Sequence, residues 1–368
     1  MRRHAHEALS SGPVLAALTV EDLRCIERAE LSLGPGTHVI FGANGAGKTS
    51  LLEAIFLLGR GRSFRSRLAD RVIRQGTSTA RVVGQTHSGP LTHTLGVELR
   101  RSADESATVA RVDGSAVESL AALALAFPVQ AIDPDAHKLI EDAAARRRRW
   151  FDWGVFHVEH GFATHWSRYQ RALRQRNAAL RAQSREFQAW DPELSREGEA
   201  LGVARERVMS ALHPHWQEAA HELVGVELSL AYQPGWDRSV PLATALEATA
   251  QRDRERRMTT AGPHRADLVL KVGGRPAREV LSRGQQKLAA IALHLAQLAY
   301  LKAELGLAPT VLLDDPSAEL DHERLGLFVR RVRRLNTPLI VTALERDQPL
   351  FGSPESVFHV EQGRVVRV

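Results

Sequence analysis

Residues Gly42-Ala43-Asn44-Gly45-Ala46-Gly47-Lys48-Thr49 fill every fixed position of the pattern G-x-x-x-x-G-K-[ST], and no other stretch restricts the fold as much. An apolar run, Thr37 to Phe41, precedes it, and Leu51, Leu52, Ile55 and Leu58 follow at helical spacing. Strand, glycine-rich loop and helix together form a phosphate cradle. The glycines let the backbone turn its N–H groups onto phosphate oxygens, and the start of the helix adds a favourable dipole. Lys48 is placed to neutralise the β- and γ-phosphates, the Thr49 hydroxyl to bind Mg²⁺, and Ser50 to complete the loop. The chemistry this predicts is binding of ATP or GTP.

A second element lies far along the chain. Thr310-Val-Leu-Leu-Asp314-Asp315 reads as a buried strand ending in two carboxylates, and an α/β sheet presents ligand groups at the C-terminal ends of its strands. Asp314 is expected to hold Mg²⁺ and Asp315 to orient or deprotonate the attacking water, with Lys48 as the third catalytic group. Shortly before it, Leu281-Ser282-Arg283-Gly284-Gln285 opens a long helix with Ser282 as its N-cap. This stretch resembles the signature loop L-S-G-G-Q of ABC-type ATPases, with Arg283 in place of the first glycine. The resemblance implies that Ser282, Arg283, Gly284 and Gln285 cap the γ-phosphate held by a second copy in an ATP-sandwich homodimer. Ser317-Ala-Glu-Leu-Asp321 resembles the D-loop that crosses such an interface. Gln75 is a candidate for the Mg²⁺- and γ-phosphate-sensing loop.

These elements sit at the two ends of 368 residues. The expected architecture is therefore α/β: an ABC-type ATPase head from 14–119 and 258–368, an inserted mainly helical lobe at 120–257, and an N-terminal extension at 1–13. Gly89-Pro90 and Asp113-Gly114 mark turns between antiparallel strands inside the head. The insertion lacks sustained heptads and Pro192 interrupts it, so no long coiled coil is expected. It is also too long for a typical transporter nucleotide-binding subunit, the alternative reading. The apolar run Leu120–Ile132 is short and carries Pro128, and the single cysteine, Cys25, has no intramolecular disulfide partner. The chain reads as cytoplasmic, with no membrane partner.

Several further stretches resemble the RecF family of bacterial recombination mediators. They are Glu53 to Ser66, Asp133-Pro-Asp135, Arg147 to Asp152, Tyr169 to Asn177 and Gly262-Pro-His-Arg-Ala-Asp267-Leu268. Ala266 stands where that family usually has Asp. Thr342-Ala343 occupies the position of the transporters' switch histidine, which leaves the γ-phosphate sensor unassigned. The resemblance implies a weak, switch-like ATPase that dimerises on ATP and binds duplex DNA and single-strand/duplex junctions. It would work with RecR and RecO to load RecA onto gaps, in support of repair, replication and the SOS response.

Charge agrees with a polyanionic partner. The net charge is +6, and all but five of the 49 basic residues are arginines, whose forked side chains suit phosphate. In the helix expected around 166–188, Tyr169, Leu173, Leu180 and Phe187 share one face, while Arg171, Arg174, Arg181 and Arg185 share the other. Those four arginines, with Arg62, Arg65 and Arg67 near the head, are the candidate DNA contacts. The run Arg146–Arg149 reads either as a DNA or dimer contact or as an electrostatic cap on the preceding helix. His264 and Arg265 read either as nucleotide or dimer contacts or as part of a structural turn. His157, His160 and His165 lack a matched ligand set and read as ordinary histidines; the tryptophans read as core anchors.

Overall fold

The computed structural model describes residues 12–66, 68–101, 107–316, 321–346 and 351–368. The expected extension at 1–13 therefore lies almost wholly outside the described residues, as do Arg67 and Ser317. Packing divides the chain into two compact units, Met1–Ala136 with Leu301–Val368, and His137–Tyr300.

The first unit runs through β1 (Val14–Leu23), β2 (Ile26–Ser32), β3 (Thr37–Phe41), α1 (Lys48–Arg60), β4 (Thr79–Ser88), β5 (Leu91–Arg100), β6 (Ala107–Val112), β7 (Ser115–Ala116), α2 (Ala121–Ala126) and β8 (Val129–Ile132). Strands β1, β2 and β4–β7 form an antiparallel sheet in the order β2-β1-β4-β5-β6-β7. Helix α1 is apolar on nearly every side because it sits in the interior, its Leu51, Leu52, Ile55 and Leu58 joining one core cluster with both sheets. It ends on Gly61 in the left-handed conformation, whose N–H bonds the Leu57 carbonyl.

The second unit holds α3 (Lys138–Glu141), α4 (Ala144–Val158), α5 (Phe162–Arg181), α6 (Asp191–Val224), β9 (Ser229–Gln233), α7 (Leu242–Arg256), β10 (Asp267–Val272), β11 (Arg275–Pro276), α8 (Ala277–Val280) and most of α9 (Arg283–Leu305). Pro192 does not interrupt a helix here. It stands in the first turn of α6, where its missing N–H costs nothing, and Pro214 is the proline inside that helix. Phe187 is not on the helix of Tyr169. The chain leaves α5 through left-handed Gln183 and re-forms a short 3-10 turn, Arg185–Trp190. Helix α9 is long and apolar enough to cross a bilayer by length and composition, but 61% of that window is buried inside the protein.

The chain returns to the first unit with β12 (Thr310–Leu313), α10 (His322–Arg334), β13 (Leu339–Ala343), β14 (Ser356–Glu361) and β15 (Arg364–Arg367). These complete a sheet of order β15-β14-β3-β13-β12-β8, parallel except for β15. The inserted lobe was expected to span 120–257. The structure keeps β8 with the first unit, because it pairs with β12, and keeps β10 with the second, because it pairs with β9.

Candidate nucleotide site

β3 and β12 flank β13 in the parallel sheet, so the phosphate loop and the acidic strand end at the same edge. Gly42 has φ 153, and a Cβ there would stand 2.2 Å from the Val360 carbonyl oxygen. Gly47 caps α1 with φ 119, its absent Cβ facing the Cys25 sulfur at 3.0 Å. No other residue type fits these two positions without moving backbone or core. Ala43, Asn44 and Gly45 are exposed at the rim, and Ala46 is buried beneath them. Lys48 is buried; its Nζ donates to the carbonyls of Gly42 (2.7 Å) and Ala43 (3.1 Å), which holds the ammonium at the mouth of the loop. Ser50 is also buried, its hydroxyl 3.9 Å from the Cys25 sulfur.

The Thr49 hydroxyl donates to Asp314 at 3.0 Å, joining the two expected Mg²⁺ ligands across 265 positions of chain. A residue not anticipated in this role completes the arrangement. Thr342, fully buried on β13, donates its hydroxyl to Asp314 Oδ1 at 2.7 Å and accepts the Asp315 N–H at 2.8 Å. The available signal was a lone hydroxyl in an otherwise apolar strand, Leu339-Ile-Val-Thr-Ala343. Burial raises the Asp314 carboxyl above the ordinary aspartate range, while the bonds from Thr342 and Thr49 and the charge of Arg65 act the other way. Asp315 is left-handed, φ 42, which turns the chain sharply at the strand end. A carboxylate beside a hydroxyl is a hard-oxygen pair that suits Mg²⁺ held together with phosphate oxygens. Gln75 is exposed in a turn closed by Gly76, and no hydrogen bond joins it to Asp314 among the described residues.

Behind the loop, Glu53 is fully buried on α1. It takes a bidentate contact from Arg24 (2.8 and 2.9 Å) and a short hydrogen bond from the Ser63 hydroxyl. The same hydroxyl accepts the N–H groups of Arg65 and Ser66, so the turn bearing exposed Arg62 and Arg65 is fixed to the phosphate-loop helix.

The signature stretch belongs to the second unit. Ser282 caps α9 in a reciprocal box: the Gln285 N–H bonds the Ser282 hydroxyl (3.3 Å), and the Gln285 side chain accepts the Ser282 N–H (3.0 Å). Ser282, Arg283 and Gly284 are exposed, and Arg283 reaches His137 at 3.3 Å. Asp321 caps α10 by accepting the Arg324 N–H at 2.8 Å, a structural task in the position expected of the D-loop aspartate.

In the second unit, three arginines of the run Arg146–Arg149 make internal contacts. Arg146 pairs with Asp142, Arg147 makes a bidentate contact with Asp267, and Arg148 donates to the Ala266 carbonyl. Arg205 grips Asp152 in the same forked way and donates to the Pro263 carbonyl. His264 is likewise internal. Its Nε2 donates to the Thr259 carbonyl, so Nδ1 accepts the Tyr169 hydroxyl at 2.6 Å. Burial first, then Arg265 and Arg148, lowers the His264 pKa to about 4, against the Thr259 bond and Asp253. An unfolded imidazole takes up its proton near pH 6.5, so stability is full above that value and falls as pH drops toward 4, by up to about 3 kcal/mol. All six tryptophans lie in this unit, so urea titrations read by tryptophan emission at pH 7 and pH 5 measure that loss. His264→Gln, which can still donate and accept, should flatten the dependence. No cluster of three metal-ligating side chains occurs among the described residues; His165 pairs with Glu197, and His157 packs edge-on against Trp153.

The fold is that of ABC-type ATPase heads. An Smc head domain from Pyrococcus furiosus superposes with a TM-score of 0.58 over 97% of this chain and 96% of its own, at 16% identity. A family model described as "RecF/RecN/SMC N terminal domain" matches residues 14–364. Proteins named "DNA replication and repair protein RecF" are similar throughout. The one from Thioalkalivibrio sulfidiphilus is 39% identical over 95% of this chain and 98% of its own, and the one from Stutzerimonas stutzeri is 41% identical over 96% and 97%. A solved structure described as the recombination mediator protein RecF with ATP in the RecFOR pathway aligns with a TM-score of 0.85, covering 97% of this chain and 98% of its own at 23% identity. The chain belongs to the RecF family, and the transporter alternative falls with that assignment.

Proposed function

We propose that the protein is a slow, ATP-driven DNA-binding switch of recombinational gap repair. The observation that carries the reading is the meeting of Thr49 and Asp314 at 3.0 Å beside the phosphate loop. ATP would lie along Gly42–Ser50 with Lys48 on its phosphates; Mg²⁺, supplying charge neutralisation there, would be held by Thr49 and Asp314. A second copy would close over the γ-phosphate with Ser282 and Gly284, which are exposed at the start of α9, where the helix dipole favours an anion. The ATP-bound homodimer would hold duplex DNA and single-strand/duplex junctions, with Arg62 and Arg65 near the nucleotide and Arg171, Arg174 and Arg181 on α5 and Arg185 on the 3-10 turn after it as contacts. Acting in the cytoplasm with RecR and RecO, it would promote RecA loading at gaps and so support replication and the SOS response. Hydrolysis would reset the clamp.

Asp315 is assigned to the attacking water. Asp315→Asn is expected to retain ATP binding and ATP-driven association while turnover falls about 100-fold or more, the usual contribution of a positioned general base. Nucleotide binding, sedimentation with Mg-ATP and phosphate release on one preparation check this, and wild-type turnover in the variant removes Asp315 from the chemistry.

A further inference from the structure

The arginines of the second unit sort into two populations. Arg146, Arg147, Arg176, Arg205 and Arg238 are tied to carboxylates at 3.1 Å or less. Arg174, Arg181 and Arg185, with Arg254, Arg256 and Arg257 at the end of α7, have no carboxylate partner among the described residues, and all six are exposed.

Two ties bring these six together. Along α5, Asn177 is three residues after Arg174 and four before Arg181, so all three share one stripe. The Asn177 side chain accepts both the N–H and the hydroxyl of Thr259 at 2.8 Å, which docks the segment just past Arg257 onto that stripe. The second tie is Phe187, two residues beyond Arg185. It is fully buried between Arg254 and Arg176, whose guanidiniums stand 5.1 and 5.0 Å from the ring centre. The interior pair Arg176–Asp253 (2.7 Å) locks α5 to α7 beneath it. Glu186, Glu247 and Glu255 are exposed carboxylates on these elements, and Glu255 already accepts from Gln251.

We infer that this end of the helical unit, centred on α7 as much as on α5, is a docking surface for the phosphate backbone of duplex nucleic acid. The inference rests on the DNA-binding reading above and gives it a location. Three properties favour a duplex backbone. Unpaired guanidiniums held on two packed helices are pre-organised for phosphate, so little freedom is lost on contact. Arg171 to Arg181 extends along about 15 Å of helix, the rise of about four phosphates on one strand. The aromatic ring at its centre, Phe187, is enclosed between Arg254 and Arg176 and so is withheld from stacking on single-stranded bases. A surface of this kind adds affinity without sequence preference and depends strongly on salt.

The test compares full-length wild type, Arg254→Gln/Arg256→Gln/Arg257→Gln and the corresponding triple Lys variant, with Mg-ATP and a mixed-sequence duplex over a salt series. Tryptophan emission reports whether the helical unit is intact. Loss of three phosphate contacts should flatten the log-affinity against log-salt slope by about 2.7, and the Lys variant should restore it. A Gln variant with wild-type affinity and slope overturns the surface while the DNA-binding reading stands. Wild type that binds no DNA in any nucleotide state overturns that reading and the surface with it. Equal or tighter binding of single strands overturns the duplex assignment. Should the Gln variant lose its native emission, the Lys variant decides: charge preserved with the slope lost rules out a backbone surface.

Discussion

Ser282→Arg is expected to bind ATP as wild type does and to lose ATP-driven association by about 100-fold or more. The reason lies in how the chain divides. Gly42–Ser50 and Asp314 lie in the first unit, and Ser282 lies in the second, exposed at the start of α9. In the sandwich reading, Ser282 meets the nucleotide of the other copy. Replacing it removes a hydrogen bond to a charged group, about 1.5–3 kcal/mol, and forces a long side chain into the closed interface, about 1–3 kcal/mol more. Loss of the helix cap costs only about 1 kcal/mol, because Gly284 and Gln285 remain, so the local fold should survive. Ser282→Ala separates the two effects: it loses the cap and the hydroxyl without the bulk, and should associate more weakly than wild type but better than the arginine variant. Sedimentation with and without Mg-ATP, beside a direct ATP-binding titration, reads all three proteins. Undiminished association of Ser282→Arg would sink the sandwich reading.

The phosphate loop and the acidic strand could be read from the sequence because their chemistry fixes residue types at short spacing. Gly42 and Gly47 are forced by backbone conformation and close neighbours, and Lys48, Thr49 and Asp314 match the residue types that the proposed phosphate and metal chemistry asks for. Thr342 escaped because its task is defined by strand order: only the placement of β13 between β3 and β12 brings its hydroxyl to Asp314. The arginines failed differently. Helical periodicity put Arg171, Arg174 and Arg181 on the solvent side of α5, as the structure has them, yet it carries no information about distant carboxylates. Arg147, in a run that reads either as a DNA or dimer contact or as a helix cap, meets Asp267 through a tertiary contact and is an interior strut, as is Arg205 on Asp152. Phe187 shows the limit of periodicity itself, since the chain leaves the helix through one left-handed residue, Gln183, before reaching it.

Arg176→Ala should be the most destabilising single change in the helical unit. The guanidinium is fully buried, donates to Asp191 (2.6 Å), Asp253 (2.7 Å) and Thr259 (2.9 Å), and lies over the Phe187 ring. Asp253 has a fully buried side chain, and its other oxygen already takes the N–H and hydroxyl of Thr260. Removing the arginine leaves that carboxylate charged and dry, or forces it to bind a proton. Breaking one side of such a pair costs about 3–5 kcal/mol, whereas replacing both sides with neutral groups costs far less. Arg176→Met/Asp253→Asn should therefore recover much of the stability lost in Arg176→Ala, although the double variant carries one more mutation. Urea unfolding followed by tryptophan emission measures the loss, because every tryptophan lies in this unit. ATP affinity serves as the control from the other unit. If Arg176→Ala and the double variant unfold at the same urea concentration, the cluster acts through packing around Phe187, and its charges contribute little.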